Sequence, residues 1–281
     1  MNKYENLDRK ELDAQYFVRG IVPEWDHEIK EFSTKSQIRR SKGHCWLNIS
    51  YGGHVRQSLD VFKPENPKLE AAPVLIFFHG GYWRMLDKLN FSNVASAGDY
   101  LGGITVIVNY RLLPEFGLSE IVSDCCSATK WVLKNISNYK GDPKKVVLSG
   151  HSAGAQLGAQ VSARINVPLK GFIGISGVYD LRPIQNCFLN DIQFLDTSLV
   201  KKFSAESSVS SRPCPAHFFY GAGEPSEFER QSENQANFWE RPGSSSILSK
   251  LDNENHASIL KQLVTPESAV LKSLISFWEV G

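Results

Sequence analysis

From Ala72 onward the chain alternates short apolar runs with segments of helical spacing. Pro73–Phe78, Ile104–Asn109, Lys145–Ser149, Gly171–Ser176 and Ala216–Tyr220 are rich in β-branched and aromatic residues, and Ser246–Ser249 closes the series. Runs apolar at every position, without alternation, are what strands covered on both faces require. Between them, 118–136, 153–165, 226–239 and 269–278 carry apolar residues at helical spacing. This succession predicts a mostly parallel, doubly wound α/β sheet. Ahead of it, Trp46–Ser50 and Gln57–Phe62 flank Tyr51-Gly52-Gly53-His54 and predict an antiparallel hairpin at one edge. The whole of 1–281 reads as a single domain. Residues 1–42 are polar with scattered aromatics (Tyr16, Phe17, Trp25, Phe32) and either wrap the body or help to cover a site. Residues 183–211 are too many for a plain loop and predict a small helical cap.

Composition narrows the field. The 31 Lys and Arg nearly balance the 30 Asp and Glu, for a formal charge of +1, which offers no electrostatic case for nucleic acid or an anionic membrane as partner. The start of the chain is charged and lacks the apolar core of a secretory signal, and no apolar run is long enough to span a bilayer. Five cysteines, an odd number without a C-x-x-C pair, read as reduced thiols in a cytoplasmic protein.

The chemistry is concentrated in four places. Gly150-His151-Ser152-Ala153-Gly154 lies between a predicted strand and a predicted helix, the context of a nucleophile elbow. Small residues around a serine on a sharp turn let its hydroxyl stand clear of the sheet, with a helix N-terminus behind it to favour negative charge. His79-Gly80-Gly81-Tyr82-Trp83 follows the strand Pro73–Phe78, where the second half of an oxyanion hole is expected. The amides of Gly81, Tyr82 and Ala153 are the candidate donors, and Tyr82 and Trp83 are candidates to stack on a substrate ring, although Trp83 reads equally as a core residue. His256 lies late in the chain, before the C-terminal helical segment, where the general base belongs in the order Ser, acid, His. His217 falls within a predicted strand, and His79 and His151 read as residues that shape their loops. For the acid, Glu224 stands just after the strand Ala216–Tyr220, and Glu227 and Asp252 remain open beside it.

With these motifs in place the chain resembles the hormone-sensitive-lipase-like branch of the α/β-hydrolases, and within it the kynurenine formamidases (arylformamidases). The resemblance rests on His79–Trp83, Tyr110–Glu115 and Gly150–Gly154, on Ser176–Pro183 with Asn190-Asp191, and on Ser226–Ser232. It runs from the Tyr51-Gly52 hairpin to His256. The family pattern has Asp where Glu224 stands. The resemblance implies an α/β-hydrolase fold, hydrolysis of N-formylkynurenine or a related arylformamide through an acyl-enzyme, Ser152 and His256 in the triad, and an aromatic pocket. No metal or organic cofactor is required, and the expected partner is a small aromatic acyl substrate; a homodimer is compatible with the sequence. A carboxylesterase on short-chain or aryl esters uses the same machinery. A non-catalytic small-ligand-binding protein on this fold is the reading from another class.

Overall fold

The computed structural model describes residues 4–22, 24–65, 69–204, 209, 213–240 and 244–279. The predicted apolar runs form the centre of an eight-stranded sheet among the described residues. Its strands are β1 (Cys45–Ser50), β2 (Ser58–Phe62), β3 (Ala72–Phe78), β4 (Ile104–Val108), β5 (Gly141–His151), β6 (Gly171–Ile175), β7 (Ala216–Gly221) and β8 (Ser246–Leu251). Their order across the sheet is β1-β2-β4-β3-β5-β6-β7-β8. From β4 to β8 all pairings are parallel, and β1 and β2 are added antiparallel at one edge.

Helices of eight residues or more are α1 (Arg9–Tyr16), α2 (Trp25–Ser41), α3 (Leu118–Asn135), α4 (Ala153–Arg164), α5 (Ser226–Trp239) and α6 (Ala269–Glu279). They divide between the faces of the sheet, which explains the continuous apolar runs. Val74, Ile76 and Phe78 of β3 join one core with α3, α4 and α5, whereas Leu75 and Phe77 join the opposite core with Phe32 of α2 and Val270, Leu271 and Leu274 of α6. Removing this much apolar surface from water is the main stabilising term of such a fold.

The 17-residue α2 has no counterpart among the expected helices, and its buried face shows why. Phe32, Ser36 and Arg39 occupy that face, so two of the three inward positions are polar. Ser36 Oγ donates to Asn90 O at 2.8 Å and accepts from Asn93 N at 2.9 Å, and Arg39 pairs with Asp99 at 2.7 Å. A helix docked by polar groups leaves no apolar stripe to read. Within the expected cap lie three short helices, Arg182–Gln185, Asn190–Gln193 and Thr197–Phe203; residues 205–208 and 210–211 of that expectation lie outside the described residues.

Candidate active site

At the C-terminal end of β5 the chain turns sharply into α4, and Ser152 sits on the turn with φ 56° and ψ −124°. Such a conformation costs a non-glycine residue on the order of 1–3 kcal/mol and persists only where its surroundings hold it. They do: Ser152 N donates to Ile175 O at 2.9 Å, and Ser152 O accepts from Ala155 N at 3.0 Å. The turn also brings α4 hard against β3. A Cβ at Gly154 would stand 2.1 Å from Phe78 O and 2.5 Å from His79 O, so only glycine allows this approach.

The loop after β3 is held from below by His79, which is fully buried. Its ring stacks on Tyr110 at 4.3 Å, its Nδ1 lies 2.7 Å from Gly80 O, and Tyr110 OH donates to His79 O at 2.6 Å. Burial pushes the His79 pKa down to about 4, so the ring is neutral and structural at neutral pH. Above it, Gly81 has φ 111°, followed by Tyr82 at 48° and Trp83 at 59°. Three successive residues with positive φ re-aim the backbone. Among the described residues the amides of Gly81, Tyr82 and Ala153 donate no hydrogen bond, as free oxyanion donors must. Tyr82 lines the cavity, its OH donating to Tyr16 O at 2.7 Å. Trp83 corrects the expectation of a substrate contact. It is fully buried, donates from Nε1 to Gln156 Oε1 at 3.1 Å and is absent from the cavity wall. The left-handed turn at Gly81–Trp83 sends consecutive side chains to opposite sides, one into the cavity and one into the core.

His256 and Glu224 come from the loops after β8 and β7. Nδ1 of His256 lies 2.5 Å from Glu224 Oε1, with both side chains buried. The second carboxylate oxygen accepts from Gly221 N at 2.7 Å and Ser176 Oγ at 2.9 Å, so both oxygens are satisfied. Glu227 lies elsewhere: it accepts from Tyr16 OH at 2.7 Å and pairs with Arg230 at 2.6 Å. Asp252 is exposed. Ser152 and His256 face one cavity, although no Ser152 Oγ hydrogen bond is closed among the described residues. His151 Nε2 lies 2.9 Å from His256 O, an acceptor, so this nitrogen carries the proton and ties the elbow strand to the loop that carries His256. Burial first, and then the neighbouring His256, hold the His151 pKa well below its ordinary value. His217 bridges Ser249 and Ser273 between β8 and α6, away from the site.

The cavity has a volume of about 410 Å³, within the range of small-molecule sites. The N-terminal segment contributes to its wall: Tyr16, Phe17, Val18, Arg19, Trp25 and Ile29 all line it. Trp25 stacks parallel to the His256 ring at 6.3 Å, and Phe228 meets the ring at 4.5 Å. Scattered aromatics were the only sequence signal of this role, and they carry no periodicity that would assign them to a site. Among the described residues no three His, Cys, Asp or Glu side chains are grouped to hold a metal ion, and no helix is long and apolar enough to cross a membrane.

A mostly parallel sheet carrying a strained serine elbow, an adjacent loop of free amides and a glutamate-paired histidine on the same cavity defines a serine hydrolase of the α/β-hydrolase fold. The family model described as alpha/beta hydrolase fold matches residues 75–211. Over nearly its whole length the chain is similar to kynurenine formamidases: 26% identical to that of Danio rerio over 98% of each chain, and 28% identical to that of Salmo salar over 94% of each. Among solved structures, the hyperthermophilic esterase of Pyrobaculum calidifontis superposes with a TM-score of 0.72 over 96% of each chain at 18% identity, a likeness of fold.

Proposed function

We propose that this enzyme hydrolyses an arylformamide of the N-formylkynurenine type, with Ser152 as nucleophile, His256 as general base and Glu224 as the acid that orients it. The observation that carries the reading is the buried Glu224–His256 pair, whose imidazole lines the same aromatic-walled cavity as Ser152. Ser152 Oγ attacks the formyl carbon while His256 Nε2 takes the hydroxyl proton. Glu224 holds Nδ1–H and stabilises the imidazolium. The amides of Gly81, Tyr82 and Ala153 receive the oxyanion, each worth about a hundred- to thousandfold in turnover. Collapse of the intermediate breaks the C–N bond, and His256 returns the proton to the leaving arylamine. Water, activated by the same imidazole, then releases formate from the acyl-serine.

Two features favour a small acyl group and an aromatic leaving group. Gly80 packs so closely that even a Cβ there would stand 3.1 Å from Ser152 Cβ, leaving little space on that side of the nucleophile. Tyr82, Tyr16, Phe17, Trp25 and Phe188 offer flat apolar faces to a ring. The near full-length similarity to the fish kynurenine formamidases points the same way. The five free thiols support a reducing, cytoplasmic setting.

Steady-state kcat/KM for N-formyl-L-kynurenine beside p-nitrophenyl acetate, with Ser152→Ala as blank, tests the proposal. The expected result is a formamide preference of about tenfold or more, and at least about a 10,000-fold loss of kcat in the variant. Ester turnover without formamide turnover would keep the nucleophile and discard the substrate. Failure of both would favour a ligand-binding role.

A further inference from the structure

Three successive left-handed residues, Gly81, Tyr82 and Trp83, persist only where their surroundings hold them. The backbone around Tyr82 is tied at three carbonyls. Gly81 O accepts from Arg84 N at 3.0 Å and Met85 N at 3.1 Å, and Trp83 O accepts from Leu113 N at 2.9 Å. Tyr82 O accepts from Gln193 Nε2 at 3.0 Å. The far end of the Tyr82 side chain is tied as well, its OH donating at 2.7 Å to the main-chain oxygen of Tyr16. That oxygen is open to it because α1 ends at Tyr16. The amide four residues on, Gly20 N, donates to Phe17 O at 2.9 Å. Relaxation of Tyr82 out of the left-handed region would swing its Cβ, and a ring pinned at its tip opposes that swing.

We infer that Tyr16 is a positioning residue of the acyl-transfer site: its main-chain oxygen holds Tyr82 in the turn that presents the candidate oxyanion amides. The inference rests on the acyl-transfer reading of the same cavity. Tyr16 is itself firmly anchored. Its buried hydroxyl donates to Glu227 Oε2 at 2.7 Å and accepts from Gln231 Nε2 at 2.7 Å, both on α5. Gln15 beside it accepts from Glu227 N at 3.2 Å. Burial first, and then the Glu227 carboxylate, hold the Tyr16 pKa well above its ordinary value, so the hydroxyl keeps its proton at neutral pH. A residue that only walled the cavity would need its ring and neither of these bonds. One line of hydrogen bonds therefore runs from α5 through Tyr16 to Tyr82, and the N-terminal segment becomes a support of the oxyanion turn as well as a wall. Because both rings line the cavity, the substitutions that test the line must keep them.

Inactivation by diethyl p-nitrophenyl phosphate reads the turn without any formamide. Ser152 Oγ bonds to phosphorus, p-nitrophenolate leaves, and the phosphoryl oxygen gathers charge where an acyl oxyanion would lie; mass spectrometry places the label. The inactivation rate constant is expected to fall about three- to tenfold in Tyr82→Phe, which deletes the donor to Tyr16 O. Tyr16→Phe, which cuts the anchor to α5, should cost a similar factor. The double variant should be no slower than Tyr82→Phe, because a loosened Tyr16 has no route to the turn once that bond is gone. With p-nitrophenyl acetate the same losses should fall on kcat and leave KM unchanged. Arg9→Gln, which cuts the exposed pairs with Asp13 at 3.2 Å and Asp191 at 2.8 Å, should leave the rate in place. Parental rates in both single variants would overturn the inference, as would losses that multiply in the double variant or an equal loss in Arg9→Gln. A parent enzyme not labelled at Ser152 would overturn the acyl-transfer reading and the inference with it. Labelling that follows the expected pattern without formamide hydrolysis would strike the proposed substrate alone.

Discussion

The two walls of the site are built by different means. One wall, Phe78–Tyr82 with Gly150–Gly154, is backbone: a strained serine, left-handed loop residues, glycines at contact distance and two buried histidines, all within short motifs. The other wall is side chains gathered from afar: Glu224 after β7, His256 after β8, Ser176 after β6, and Trp25 from the N-terminal segment. The first should fail by losing stability when crowded, and the second by losing activity when its hydrogen bonds are cut. One bond, from His151 to the carbonyl of His256, joins them.

The largest expected effect separates two carboxylates three residues apart. Glu224→Gln removes the charge proposed to stabilise the imidazolium and presents an amide to Nδ1. It should cost about a thousand- to ten-thousandfold in kcat at nearly unchanged stability. Glu227→Gln should do the reverse. It breaks a buried pair with Arg230 whose side chains are 3% and 12% exposed, costing about 3 kcal/mol in urea unfolding, with kcat within about tenfold. Equal losses of kcat in the two variants would mean that the acid has been misplaced.

The contrast also explains what the sequence could disclose. Backbone-built features are local, so Gly150–Gly154 and His79–Gly81 were legible as motifs, and β3 to β7 as doubly apolar runs. The reach of β5 down to Gly141 was not legible, because Asp142, Lys144 and Lys145 give its first half a polar, part-exposed face. Glu224 could be put forward as the acid only by its position after β7. What distinguishes Glu224 from Glu227 is Tyr16, 211 residues away, and no spacing rule carries that information. Trp83 misled for a related reason: a motif fixes the path of a backbone, while the side to which each residue points depends on the φ values along it.

Stability of the backbone wall is tested next. Gly154→Ala puts a methyl group onto two backbone carbonyl oxygens, of Phe78 at the end of β3 and of His79 just after it, and should cost about 3 kcal/mol or more. A melting temperature within a degree of the parent would show that the elbow can shift. Acid should loosen the same wall. With its folded pKa pushed down to about 4 by burial, His79 stays neutral while the unfolded chain takes up a proton near 6.5. Stability is therefore full above 6.5 and falls as the pH drops towards 4, by about 3 kcal/mol for this ring. His217, also pushed down to about 4 by burial, acts in the same direction. Between pH 6.5 and 5 the unfolding free energy should fall by at least about 1.4 kcal/mol per pH unit, the value for one proton; a flat profile would contradict neutral buried rings.

The smallest effect tests whether the side-chain wall is as finely supported as its geometry implies. Ser176 is fully buried with φ 48°, fixed by its own amide donating to Phe219 O at 2.8 Å. Its hydroxyl has one role in that setting, donating to Glu224 Oε2 beside the amide of Gly221. Ser176→Ala keeps the backbone turn and deletes that donor, leaving Gly221 N to hold the oxygen alone. A hydrogen bond to a charged group is worth about 1.5 kcal/mol at the low end, roughly tenfold in rate if it is needed to aim the carboxylate at Nδ1. Because Ser176 acts through Glu224, the loss should fall on kcat with KM unchanged. A matching rise in KM, or a fall in melting temperature without loss of kcat, would make the serine a packing residue and leave Gly221 as sufficient support for the acid.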